Sequence, residues 1–140
     1  MWSFVKKYQN TADIMRDKGL AKVGDGLVNL CYSLAKSEVL GEATGEKVRD
    51  SVLAQALRAT PVYHNISRRT DSGVAADAYE AVVAYLWLSG KTTIESIVSS
   101  LVKQLDINSK TSRKKEGQAA ANAFQNLLEE LMNLLPVSSD

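Results

Sequence analysis

Apolar residues return every three or four positions along nearly the whole chain, and this rhythm restricts the fold more than any other feature. Phe4, Tyr8, Ala12 and Met15 form one series, and Leu20, Val23, Leu27, Leu30 and Leu34 form the next. That is the spacing of helices that bury one face. A third segment, from about Gly45 to Ala59, turns Val48, Val52, Ala56 and Leu57 inward. Pro61 stops it and keeps Thr60 out of helical angles. Residues 62–73 show no period and read as a polar loop holding His64, Arg68, Arg69 and Asp71. A fourth helix runs from about Val74 to Leu88 and ends at Gly90. Thr92-Thr93-Ile94-Glu95 is a capping-box pattern for a helix that buries Ile94, Ile97, Leu101 and Leu105. The last helix starts near Arg113 and keeps Ala120, Ala123, Phe124, Leu127, Leu131 and Leu134 on one face until Pro136. No strand pattern, repeat or linker interrupts the series. The expectation is a single all-α domain over residues 1–140, a compact bundle of about six or seven helices.

Composition fits that expectation. A chain of 140 residues can bury a core without disulfides or structural metals. Its 24% charged and 45% hydrophobic content excludes intrinsic disorder. The net charge of +1 neither requires nor forbids a polyanionic partner, since local clustering decides that. Cys31 is the sole cysteine, so there is no internal disulfide and no thiolate zinc cage. It reads as a small buried residue rather than a nucleophile. No apolar run is long enough to span a bilayer, and Met1 to Lys7 leads into no signal core. A soluble, cytoplasmic protein is expected. His64 reads as a surface residue, and Trp2 and Trp87 as packing or dimer-interface residues. Ser33, Ser37 and the other serines have no detectable base partner.

Two segments place carboxylates in otherwise apolar runs. The first is Leu20-Ala21-Lys22-Val23-Gly24-Asp25-Gly26-Leu27-Val28, and the second is Ala76-Asp77-Ala78-Tyr79-Glu80-Ala81. A helix that buries one face does not hold acids there without cost. Asp77 and Glu80 leave one helical face about a turn apart. Spacing alone fits two readings, a solvated acidic face, which is the commoner, or a pair held by a hard divalent cation. Asp25 would join that ion from another helix, with Asn29 one turn further along the same face. Gly24 and Gly26 each cost about 1 kcal/mol relative to alanine in a helix. Close backbone packing accounts for that cost, as does a bend or a helix boundary.

Together these segments resemble the ribonuclease III catalytic domain. Val23-Gly24-Asp25-Gly26-Leu27-Val28 is similar to that family's Leu-Gly-Asp-Ala-Val-Leu, and Ala76-Asp77-Ala78-Tyr79-Glu80-Ala81, followed by Ala84-Tyr85-Leu86, is similar to its Ala-Asp-x-x-Glu-Ala. The order matches, and the likeness is greatest to the small archaeal and Mini-III types, which lack a double-stranded-RNA-binding domain. The resemblance implies an endonuclease domain with Asp25, Asp77 and Glu80 as catalytic metal ligands, Asn29 beside them, and magnesium (Mg2+) or manganese as cofactor. It further implies a homodimer that cuts structured or double-stranded RNA, leaving a 5′-phosphate and a 3′-hydroxyl. The chain departs from the pattern at three positions. Larger enzymes carry glutamate where this chain has Ala21 and Lys18, and Mini-III carries glutamate at the place of Asn29 but alanine at that of Ala21.

A polyanion also needs cations near the acids. Arg68 and Arg69 lie just before the Asp77 helix, and Lys110, Arg113, Lys114 and Lys115 lie at the start of the last helix. Arg16, Lys18 and Lys22 are candidates for the edge of the site, with Lys22 also placed to pair with Asp25. Three readings stand at this point. They are an active endoribonuclease, a catalytically degenerate relative that binds structured RNA or a ribonucleoprotein, and a helical homodimer whose acids face solvent.

Overall fold

A computed structural model describes residues 2–66 and 70–136. They form α1 (Thr11–Met15), α2 (Lys18–Leu40), α3 (Asp50–Arg58), α4 (Ser72–Leu88), α5 (Ile94–Gln104) and α6 (Arg113–Leu131), with 3-10 turns at Pro61–Asn65 and Met132–Leu134. There is no strand among the described residues, so the all-α expectation holds.

The bundle is built around α4. Its alanines Ala75, Ala76, Ala78, Ala81 and Ala84 are all buried, as are Tyr79, Val82, Val83, Leu86 and Leu88. A helix apolar on every side belongs in a core, and small residues let its neighbours come close. Helices α1, α2 and α3 pack against it, and α5 and α6 close the bundle against α2 and α3. The buried Tyr79 hydroxyl donates to the Phe124 carbonyl of α6 at 2.5 Å. The Asp71 side chain caps α4 through Val74 N–H at 2.9 Å. Gly90, at φ 75°, supplies the left-handed residue that ends it.

Three sequence expectations change here. The first helix begins at Thr11 rather than Phe4, because Asn10 caps it by accepting from Asp13 N–H. Helix α3 begins at Asp50 rather than near Gly45, and residues 43–49 are non-helical, with Arg49 in an extended conformation. Finally, Val23, Leu30 and Leu34 do not face the core. They are 37%, 48% and 42% exposed. The core face of α2 is made by Leu20, Ala21, Gly24, Leu27, Val28, Cys31, Tyr32 and Ala35. Leu20 and Leu27 of the expected series join the core face, and Gly24 on that face admits α4 at short range. Leu134 of the last series is also exposed and Ile94 only half-buried. Cys31 is buried as expected, and burial pushes its thiol pKa up to about 12, which leaves it unreactive. No helix among the described residues is long and apolar enough to cross a membrane.

Candidate active site

Helices α2 and α4 meet at Gly24 and Glu80. A Cβ built on Gly24 would stand 2.0 Å from the Glu80 carbonyl oxygen, so only glycine lets the two backbones touch here. Gly26, by contrast, faces open space. Close packing therefore explains the first glycine and not the second. The contact sets Asp25, next to Gly24, beside Glu80. Asp77, one turn before Glu80 on α4, joins them.

The three acids line one cleft of about 430 Å³. A fourth acid, Asp50, lines it from the start of α3, and the remaining walls are Ala21, Lys18, Lys22 and Lys47. Glu80 is 5% exposed. Burial, followed by a hydrogen bond and charge repulsion from Asp25 and then by the charges of Asp77 and Asp50, pushes its pKa up to about 8. Burial and the Asp50 charge also raise Asp77, against the opposing pull of Lys18. These shifts arise where carboxylates share too little water and too little positive charge. At neutral pH the ion-free cleft keeps a proton on Glu80, and that proton offsets the crowding.

The donor set fits a hard cation, since it consists of carboxylates with lysines at the rim. Among the described residues, no group of three or more Asp, Glu, His or Cys side chains is close enough together to hold a metal ion. Magnesium does not require such a group, because it is held through one or two carboxylates and keeps several waters. Asn29 is placed differently from the ligand role the resemblance gave it. Its Oδ1 accepts from Val48 N–H at 2.7 Å, and its Nδ2 donates to Asp25 Oδ1 at 3.2 Å. The side facing the acids is therefore a donor. Lys22 lines the cleft but forms no ion pair with Asp25 among the described residues. Arg16 pairs with Asp13 at 2.7 Å on the surface.

A second cleft, of about 450 Å³, lies between α3 and α6. Arg113 and Lys114 line it with Arg49, Ser51, Gln55 and Gln118. The Arg49 guanidinium lies over Gly117, where a Cβ would stand 2.3 Å from Nη2. Arg49 and Asp50 are chain neighbours, so the basic and acidic clefts adjoin at the start of α3. Lys110 and Lys115 are exposed nearby in sequence, while Arg68 and Arg69 lie outside the described residues. Asp50 and Arg49 were not singled out from sequence. An acid at a helix start is an ordinary dipole partner, and nothing in the spacing marks it as facing Asp77.

The ribonuclease III family model matches residues 18–137. This chain belongs to the ribonuclease III family. No curated protein matches it. The match starts at the first residue of α2 and contains every acid of the cleft. Membership in the ribonuclease III family supports a ribonuclease-type function, and the acidic cleft is the candidate centre for it.

Proposed function

We propose that residues 1–140 form one metal-dependent endonuclease domain, of the small archaeal or Mini-III type, that hydrolyses structured or double-stranded RNA to 5′-phosphate and 3′-hydroxyl ends in cytoplasmic RNA processing. The observation that carries this reading is the convergence of Asp25, Asp50, Asp77 and Glu80 on one cleft in a chain of the ribonuclease III family. Asp25, Asp77 and Glu80 would hold magnesium or manganese, with Asp50 opposite them. When bound, such an ion supplies a water of lowered pKa and offsets charge at the phosphate.

The protein's own groups do the rest. Glu80 gives up its proton when a cation takes its place. Lys18, Lys22 and Lys47 at the rim draw in a phosphate that four acids would otherwise repel. Arg113 and Lys114, with Arg49, hold the backbone a short distance away. Such contacts read the shape and phosphates of an A-form helix rather than its sequence. Lys110 and Lys115 extend that surface, and Arg68 and Arg69 belong to the same proposal from their sequence position. Ala21 leaves one family carboxylate unreplaced, and Asp50 supplies negative charge to the same cleft.

A homodimer is part of the proposal. Val23, Leu30 and Leu34 on α2 are exposed. Leu34 lines a groove of about 580 Å³ with Ile94, Val98 and Val102 of α5, and Glu38, Glu95, Ser99 and Lys103 supply its polar walls. Exposed apolar side chains rimmed by polar ones mark an interface, and a twofold axis is its commonest use.

Incubation of a plain RNA duplex with Mg2+ tests the reading, with Asp77→Asn as the control. The expected result is cleavage by the wild type, abolished by the substitution and by EDTA, with 5′-phosphate ends. Duplex binding that survives EDTA, with no cleavage under any metal, would replace this reading by that of a degenerate RNA-binding relative. Absence of both binding and cleavage would leave a helical interaction module.

A further inference from the structure

The hydrophilic side of α2 carries Asp25, Asn29, Ser33 and Ser37, one residue per turn. The non-helical segment 43–49 runs along it in the opposite direction. Every second backbone N–H of that segment is received by the helix. Thr44 N–H donates to Ser37 Oγ at 2.9 Å, Glu46 N–H to Ser33 Oγ at 3.1 Å, and Val48 N–H to Asn29 Oδ1 at 2.7 Å. The two repeats agree in length. Four helical residues advance about 6 Å, and two extended residues advance about 6.6 Å, so three rungs form before the mismatch matters. Gly45 allows the close approach, since a Cβ there would stand 3.0 Å from Ser33 Oγ. Lys36 fastens the segment from the side, reaching Glu46 at 2.7 Å and Glu116 of α6 at 3.0 Å. One step beyond Val48 along this ladder is Asp50, and one step beyond Asn29 is Asp25. Both acids line the same cleft.

Asn29 joins the two. Val48 N–H can only donate, so the Asn29 oxygen must face it, which leaves the amide NH2 for Asp25 Oδ1 at 3.2 Å. The oxygen is committed to the backbone, and the group that meets the acids repels a cation. We propose that Asn29 is a positioning residue that ties the Asp25 carboxylate to the strap carrying Asp50, and so holds two acids of the cleft at a fixed separation. This rests on the metal-dependent reading above.

Mn2+ binding to the intact protein, measured by calorimetry without RNA, tests it. Asn29→Ala should weaken binding about tenfold, the usual effect of losing a group that orients a ligand. Val48→Pro deletes the same hydrogen bond from the strap and leaves Asn29 in place. It should weaken binding comparably, and the double variant should be no worse than either single one. If Val48→Pro loses cooperative unfolding, Ser33→Ala removes the rung one turn away and should weaken binding to a smaller but measurable extent. Hydrogen exchange at the Val48 amide should quicken in Asn29→Ala. Loss of affinity in Asn29→Ala alone, with Val48→Pro or Ser33→Ala unaffected, would make the amide a direct ligand and overturn the proposal. A lower melting temperature with unchanged Mn2+ affinity in Asn29→Ala would reduce it to a packing contact and overturn the proposal as well. A wild type that binds no Mn2+ would instead overturn the metal reading, and with it the proposal. That outcome is distinct because it is read before any variant is compared.

Discussion

Replacing Glu80 with glutamine should stabilise the ion-free protein at alkaline pH while removing the proposed cleavage activity. Glu80 is almost wholly buried beside Asp25, with its pKa raised from 4.5 to about 8. Below pH 4.5 the native and unfolded chains both hold the proton, and nothing is lost. Between 4.5 and 8 the unfolded chain releases a proton that the native chain keeps, so stability falls as pH rises, and above 8 the loss levels off. At roughly 1.4 kcal/mol per pH unit, the full cost is on the order of 5 kcal/mol, a large part of a small domain's stability. Glutamine keeps the shape of the protonated carboxyl and removes the titration. Urea unfolding in EDTA, followed by circular dichroism from pH 5 to pH 9, compares the two proteins. They should nearly coincide at the acid end, and Glu80→Gln should be more stable by a few kcal/mol at the alkaline end. Saturating Mg2+ should close the gap by stabilising the wild type. A difference that does not vary with pH would refute the reasoning, since it would mean that Glu80 does not carry its proton into the neutral range.

The remaining predictions concern other parts of the molecule. Gly24→Ala, whose Cβ would meet the Glu80 backbone at 2.0 Å, should cost about 1–3 kcal/mol or more by overpacking, whereas Gly26→Ala in open space should be neutral or stabilise by up to about 1 kcal/mol; denaturant unfolding of the pair reads both. Arg113→Ala and Lys114→Ala should weaken duplex binding evenly across sequences and each lower the salt slope by about 1, as measured by filter binding over a salt series. The proposed homodimer is tested by Leu30→Glu, at an exposed position of α2, which should leave the helical circular dichroism intact and convert a dimer of the wild type to monomer in analytical ultracentrifugation.

The helical class and the shared face of Asp77 and Glu80 were legible in the sequence. Gly24 was open there between close packing and a bend or helix boundary, and only the Glu80 backbone against it decides for close packing. What the sequence did not carry was choice between equivalent patterns. Val23, Leu30 and Leu34 have the same period as the core stripe of α2, and periodicity does not report that α4 packs on the face that carries Gly24. Val48 continues the helical spacing of Val52 and Ala56, yet α2 receives the backbone N–H groups of Thr44, Glu46 and Val48, and no local propensity reports a partner that lies elsewhere in the chain. Asp50 was hidden by the same circumstance, because its place in the cleft depends on a segment whose path is set by Ser37, Ser33 and Asn29. Asn29 itself was legible as a neighbour of Asp25 one turn away, but which end of its amide faces the acid depends on Val48 N–H.

The pairing of segment 43–49 with α2 makes the spacing between Thr44 and Val48 a matter of parity. One residue inserted there would present the opposite set of N–H groups to Ser33 and Asn29, and would swing Arg49 and Asp50 to exchange sides, with the cation entering the acid cleft. Two residues inserted would restore the facing and merely add slack. Length variation in this stretch should therefore be tolerated in even steps and punished in odd ones, a constraint on how relatives of this chain can diverge that no single side chain would disclose.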